Sequence, residues 1–507
     1  MSGNAKVLTG LMERRALEAA FGELADVTSP TLQIERAQEI ARQGDAALHV
    51  LLSFLDTSDP QLRGGLGQVA ARLPREEVVP ALLHVARSRE QSEQARLTAL
   101  TILDRFLHES VDETLLGGLA NPEALAQQSL REVLHEMAHS PFSVIEYLNQ
   151  LAEQPPEVAR MILDAIPSMP ASPDLVTLLR MLAQGNDAFL AQGALEQLGR
   201  TRTVDAALAL SCLAATLPPQ CAPLADRGLR KLRLGGVSPP LTEAGADSLG
   251  WRALLSPLNG AGYQVIWFVG RSSLRAHGTL FSVLTHDPEG IVGSFGSAEV
   301  PGDALPPQQP LGAIHTVAQS ADMPPITFLE VTFDAGRQTI REALELNWQG
   351  GNPTPLEYRL LNPLIWSTRF SPEPGLPAIP SARECTPAET IKVLQHPAFA
   401  GWYWQDPALI EAARKLGPEP SQEARRAAVT KLAISKFTPE VIASYQRRLR
   451  AMARWLALAV QPEMAACAQA LGDQLGMGEP AGSPFVRRLI GLGLNIAIIN
   501  SHLKNLT

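Results

Sequence analysis

Apolar positions recur with a helical period through the first half of the chain and are interrupted at similar intervals. LLSFLDTSDPQLRGGLGQVAARL (51–73) is typical: an apolar helix, a polar break carrying Asp59-Pro60, then a second helix with an apolar stripe. The same succession runs through 78–107, 115–138, 144–166, 176–199 and 207–232, a period of about 30–35 residues. After Gly235-Gly236 the period changes. GYQVIWFVGRS (262–272), HGTLFSVLTH (277–286), GIVGSFGSAEV (290–300) and PITFLEVTF (325–333) are β-branched and aromatic runs of strand length. Asp287-Pro288-Glu289-Gly290 supplies turn residues between the second and third of them. RQTIREALELNW (337–348) then places Ile340, Leu344 and Trp348 on one side of a helix. Further on, TPAETIKVLQHP, DPALIEAARKL and TPEVIASYQRRLRAMARWLALAV each begin with Thr or Asp before Pro, a start signal for a helix. The series runs on to PFVRRLIGLGLNIAIINSHL.

These patterns predict a mainly α chain: a helical-repeat domain over 1–235, a linker over 236–250, and a small α+β domain over 251–368 built as an antiparallel meander plus a helix. A Pro-rich linker over 369–387 and a C-terminal helical domain over 388–507 follow. The repeated units, and Asp59-Pro60-x-Leu62-Arg63 in particular, resemble HEAT-like or armadillo-type helical repeats over roughly 200 residues. That resemblance implies an α-solenoid whose extended surface binds other macromolecules, hence a scaffold or adaptor for one or more proteins. It names no partner.

Composition narrows the class. The 45% hydrophobic and 19% charged fractions are those of a globular chain. The net charge of −9 argues against wholesale nucleic-acid binding. Four cysteines (Cys212, Cys221, Cys385, Cys467) form no CxxC pair, which points to a reducing, cytoplasmic setting. The opening MSGNAKVLTGLMERRALEAAF has no apolar run of signal-peptide length. The most apolar stretch, 489–503, is shorter than a membrane span needs.

Candidate chemistry is sparse. His135-Glu136-x-x-His139 has the spacing of a zinc hydrolase helix, with two imidazoles one turn apart and Glu136 as general base. The positions where an extended motif carries Gly and His hold Phe142 and Ile145, while Glu146, Glu153 and Glu157 are equivalent alternatives for a third ligand. On a helical wheel Leu130, Val133, Leu134 and Met137 form the apolar stripe, so His135 and His139 face away from it. His277, His286 with Asp287, and His315 lie near strand ends, but no Ser or Cys stands in a nucleophile motif. Gly293-x-x-Gly296 is expected to be a strand feature and not a phosphate loop. No catalytic residue and no cofactor are therefore expected, zinc entering only with the hydrolase reading. Residues 411–454 carry ten basic against four acidic side chains, and Arg447, Arg450 and Arg454 share one helical face. They are candidates for an acidic protein surface or for phosphate backbones. Gly401-Trp402-Tyr403-Trp404 concentrates aromatics in a chain with few, making Trp402 and Trp404 candidates for partner contact or for packing.

Overall fold

A computed structural model describes residues 14–109, 122–238, 249–272, 277–318, 325–367 and 385–503, apart from Asp26, Thr28, Ser29, Ser58, Arg89 and Pro155. Most of both expected linkers (239–248 and 368–384) and the start of the 115–138 unit lie outside these residues. Among the described residues, 21 α-helices accompany a single six-stranded sheet, so the chain is mainly α with a small α+β element. No described helix is long and apolar enough to cross a membrane. The chain divides into two compact units, Met1–Leu182 with Gln192–Gln197, and Ala183–Ala191 with Leu198–Thr507.

In the first unit the sequence signals have visible causes. Asp59 caps α1 (Pro60–Ala70) by accepting from the Gln61 and Leu62 amides at 2.8 and 3.2 Å. Ser92 caps α2 (Glu93–Arg105) in the same way. Leu62, Leu66 and Val69 of α1 share a core with Leu97, Leu100 and Leu103 of α2, each contributing about 1.5–3 kcal/mol by burial. On α3 (Pro122–His139) the buried stripe is Leu130, Val133 and Met137. Charge also ties these helices together. Arg63 of α1 meets Glu132 of α3 at 2.8 Å, both nearly fully buried, and Arg105 of α2 reaches Glu132 at 3.5 Å and Glu136 at 2.8 Å. Gln128 donates a further hydrogen bond to Glu132 at 3.1 Å.

The second unit begins with α4 (Val204–Thr216) and α5 (Ala222–Leu234), which pack on one another. Both helices fall within the span expected to be helical repeat, and they group with the sheet in this unit. The strands are β1 (Leu249–Leu255), β2 (Tyr263–Ser272), β3 (His277–His286), β4 (Gly290–Pro301), β5 (Ile314–Val317) and β6 (Ile326–Thr332). Their order is β4-β3-β2-β1-β6-β5, with every pairing antiparallel. The β2–β3–β4 meander follows the expected runs, and the Asp287–Pro288 peptide in its last turn is cis. One face of the sheet presents Ala253, Ile266, Phe268, Phe281, Val283, Leu329 and Val331 to a core that also takes in α6 (Phe333–Gly350) and the C-terminal helices. The other face carries Leu254, Trp267, Val269 and Phe328 under Leu305, beside a buried Arg252–Glu330 pair at 2.8 Å.

The C-terminal helices are α7 (Pro387–Gln395), α8 (Pro407–Leu416), α9 (Gln422–Lys436), α10 (Pro439–Leu458), α11 (Pro462–Gln474) and α12 (Pro484–Leu503). Thr386, Asp406 and Thr438 are true N-caps, each with Pro in the first turn and its side chain accepting a backbone amide. Trp402, Tyr445 and Phe485 pack together beside Phe399 inside the core shared with the sheet.

Helix α10 is pinned to the sheet at two places. Asp287, in the β3–β4 turn, accepts from Ser444 Oγ at 2.7 Å, from Arg447 Nε at 2.9 Å and from Arg448 Nε at 2.9 Å. Arg448 also donates to the Asp287 carbonyl at 3.0 Å and the Gly260 carbonyl at 2.6 Å. Gly262 makes room for this: its φ is +101°, and a Cβ there would sit 2.7 Å from the Asp287 carbonyl oxygen. About two turns further on, Trp455 Nε1 donates to the Leu255 carbonyl at 3.0 Å.

Burial would raise the pKa of Asp287, but the hydrogen bonds from Ser444, Arg447 and Arg448 and the Arg447 charge outweigh it, and the carboxyl lies below its ordinary 3.8. Its stabilisation is thus complete above that ordinary value and is lost as pH falls through the lower, folded one. Asp287→Asn is expected to cost the second unit about 3 kcal/mol at pH 7, because it leaves Arg448 buried without its counter-charge. The penalty should shrink toward pH 3, which thermal melts recorded from pH 7 to pH 3 would show. An equal penalty at both ends of that range would contradict the assignment.

A basic cleft and an occupied HExxH helix as candidate functional sites

The two sequence candidates for chemistry fare differently. On α3, His135 and His139 are exposed, with ring centroids 4.9 Å apart. His135 Nε2 lies 3.3 Å from Gln61 Oε1, and His139 Nδ1 lies 3.0 Å from the His135 carbonyl. Glu136 is engaged by Arg105 at 2.8 Å. No group of three His, Cys, Asp or Glu side chains among the described residues is placed to hold a metal ion. Burial raises the Glu136 pKa; the Arg105 charge and hydrogen bond oppose it, and the Glu132 and Glu146 charges add to the rise. Here the motif's carboxylate closes one edge of an ion network.

The basic helix, by contrast, borders a cleft of ≈ 890 Å³ in the second unit. That size lies within the usual range for ligand sites. Buried Leu255, Leu258, Ala335, Ala343 and Trp455 form an apolar floor. The sheet contributes Thr285 and His286, α6 contributes Gln338, Thr339 and Glu342, and α11 contributes Gln469. Arg447, Arg450 and Arg454 stand along the edge with 44, 49 and 38% of their side-chain surface exposed, so they reach solvent while their stems lie against α10. Four arginines and two carboxylates line the cleft, leaving it net positive.

The arginines are held in three ways. Arg448 is nearly buried and fully engaged by Asp287 and Gly260. Arg447 shares Asp287 through its Nε, lines the cleft and stays 44% exposed. Arg450 meets Asp473 of α11 at 3.0 Å, and Arg454 meets Glu342 of α6 at 2.7 Å in a two-pronged pair. Pairs as exposed as these last two contribute about 0–1 kcal/mol each, so they orient the guanidinium groups without locking them.

Trp402 and Trp404 offer nothing to a surface partner. They are 1 and 6% exposed; Trp402 Nε1 donates to the Leu258 carbonyl at 2.7 Å, and Trp404 packs on Phe437. Their work is cohesion between the Gly401–Trp404 segment and the sheet. His277 is exposed at the start of β3, and His315 lies on the edge strand β5; neither lines the cleft. Arg448 was counted only within the basic stretch 411–454, and Glu342 and Gln469 escaped the sequence reading. The i, i+3, i+7 spacing on α10 gave the face, but nothing local gives the helices opposite it.

In the first unit the two carboxylates of the network are expected to separate experimentally. Glu132→Gln leaves Arg63 buried without a counter-charge and should cost about 3 kcal/mol. Glu136→Gln removes a carboxylate whose ionised form burial disfavours and which is partly solvated, so stability at pH 7 should change by no more than about 0.5 kcal/mol. Chemical denaturation of the two variants decides it, and a large loss for Glu136→Gln would restore a demanding role to the motif. Comparison with known protein families, with curated proteins and with solved structures finds no match.

Proposed function

We propose that this chain is a protein-binding adaptor with two recognition surfaces, one on each compact unit. In the first unit the support is the run of capped helices at a HEAT-like period, an arrangement that presents side chains along an extended surface. In the second it is the cleft. The observation that carries the reading is an apolar floor beneath a row of partly exposed arginines. That combination provides the two requirements of a protein interface, a desolvated centre and a polar, charged rim. Arginine anchors are also enriched at binding hot spots.

The apolar floor favours a protein partner over a nucleic acid, whose backbone calls for phosphate contacts and not for buried leucine and tryptophan. The hydrolase reading draws no support from Glu136, whose carboxylate is bound by Arg105. A cytoplasmic location agrees with a sequence whose four cysteines form no CxxC pair.

The test is recovery of the full-length chain by mild cross-linking from the cell that makes it. The expected outcome is one recurrent protein partner that re-forms a complex of fixed stoichiometry from purified components. Recovery of nucleic acid in its place would reverse the reading. So would turnover of a substrate by the purified chain, abolished by changing a small residue cluster.

A further inference from the structure

The pairing of the arginines says what kind of segment the cleft takes. Resting on the binding reading above, we propose that the cleft accepts an acidic amphipathic helix of a partner protein, and that Glu342 and Asp473 are internal competitors for the arginines that read it.

Three observations converge. Arg447, Arg450 and Arg454 follow one another at i, i+3 and i+7 and so span about two turns, roughly 10 Å. Acidic side chains with the same spacing on a second helix would meet all three. The cleft beside this stretch of α10 is large, ≈ 890 Å³. The floor of Leu255, Leu258 and Trp455 calls for apolar side chains on the other half of the incoming helix.

The division of labour along α10 follows from solvation. Arg448 is 11% exposed and bound to a carboxylate that is itself 10% exposed, so it is structural. Arg450 and Arg454 pair with Asp473 and Glu342, which are 40 and 33% exposed, and a carboxylate arriving from a partner exchanges with these at small cost. Gln469 lines the cleft and donates to Asp473 at 3.2 Å, so it can hold the released carboxylate aside. The resident pairs keep the arginines extended in the free protein and set a threshold that a weakly acidic sequence does not pass.

The experiment uses the full chain and a fluorescently labelled helical peptide of about 15 residues. Leu lies on one side, Glu at i, i+3 and i+7 on the other, and Ala elsewhere; its counterpart carries Lys for Glu. Saturable binding of the Glu peptide alone is expected by fluorescence anisotropy. Glu342→Gln with Asp473→Asn should tighten it by up to about thirtyfold, the fold-change that corresponds to the upper end of two exposed ion pairs. Arg450→Gln with Arg454→Gln should weaken it at least about tenfold. Arg450→Lys with Arg454→Lys, which keeps the charge and loses the two-pronged geometry, should fall between. Melts of each variant confirm folding, and the Lys pair still reads the site if the Gln pair does not fold. The proposal is overturned by absent binding, by equal binding of the Lys peptide, or by affinity indifferent to the arginine changes. It is equally overturned if removing the carboxylates does not tighten binding, or if a single-stranded oligonucleotide displaces the peptide more readily than unlabelled peptide does. Any of these, alongside a reconstituted protein complex, would remove this helix-binding role and leave the adaptor reading standing.

Discussion

The second unit depends on one carboxylate. Asp287 sits in a turn at the end of the meander and receives three side-chain donors from α10, while Arg448 reaches past it to two backbone carbonyls. A buried charge is tolerable only when paired and hydrogen-bonded, and here each partner meets that condition for the other. The consequence is positional. With α10 fixed at Asp287 and again where Trp455 meets the Leu255 carbonyl, the helix face that carries Arg447, Arg450 and Arg454 has no freedom to rotate. The cleft lies beside this anchored helix, and Asp287, Arg447, Arg448 and Trp455 are among the residues that line it.

The same helix therefore shows two electrostatic regimes within two turns. At its inner edge the pairs are desolvated and strong, and they define geometry. At its outer edge they are hydrated and weak, and they define availability. A site assembled this way is partly preorganised, since each guanidinium group already has a carboxylate partner that orients it. It is also exchangeable, because no resident partner is dehydrated enough to be irreplaceable. A stack of unpaired arginines would satisfy the second condition and fail the first through mutual repulsion.

How much of this could be read along the chain follows from the range of each interaction. Caps are local: Asp59, Thr386, Asp406 and Thr438 each sit beside the amides they serve, and each is where the Thr/Asp-Pro pattern put it. Strands β2, β3, β4 and β6 were visible for the same reason. Strand β1 was not. LGWRALL has no clean alternation because both of its faces are covered, Ala253 and Leu255 by the core shared with the helices, and Leu254 by the cluster that includes Leu305, beside the Arg252–Glu330 pair. Strand β5, of four residues, is too short to carry a period. The arginine face of α10 was legible as a face, but its meaning was not, because Asp287 lies 160 residues from Arg447 and Glu342 lies 112 from Arg454. Pairings at that separation leave no local trace.

The HExxH helix shows the opposite failure, a local pattern without a setting. Two histidines one turn apart are what an HExxH zinc helix requires, and α3 provides them. What turns that geometry into a metal site is enclosure: further ligands converging from other elements, and a carboxylate free to take a proton from bound water. Around α3 the neighbouring helices send arginines. Arg63 and Arg105 meet Glu132 and Glu136, and the apolar stripe of Leu130, Val133 and Met137 turns the histidines outward. The helix phase that buries those three residues is the phase that exposes His135 and His139. Packing sets that phase, since burying three large apolar side chains contributes about 5–9 kcal/mol in all.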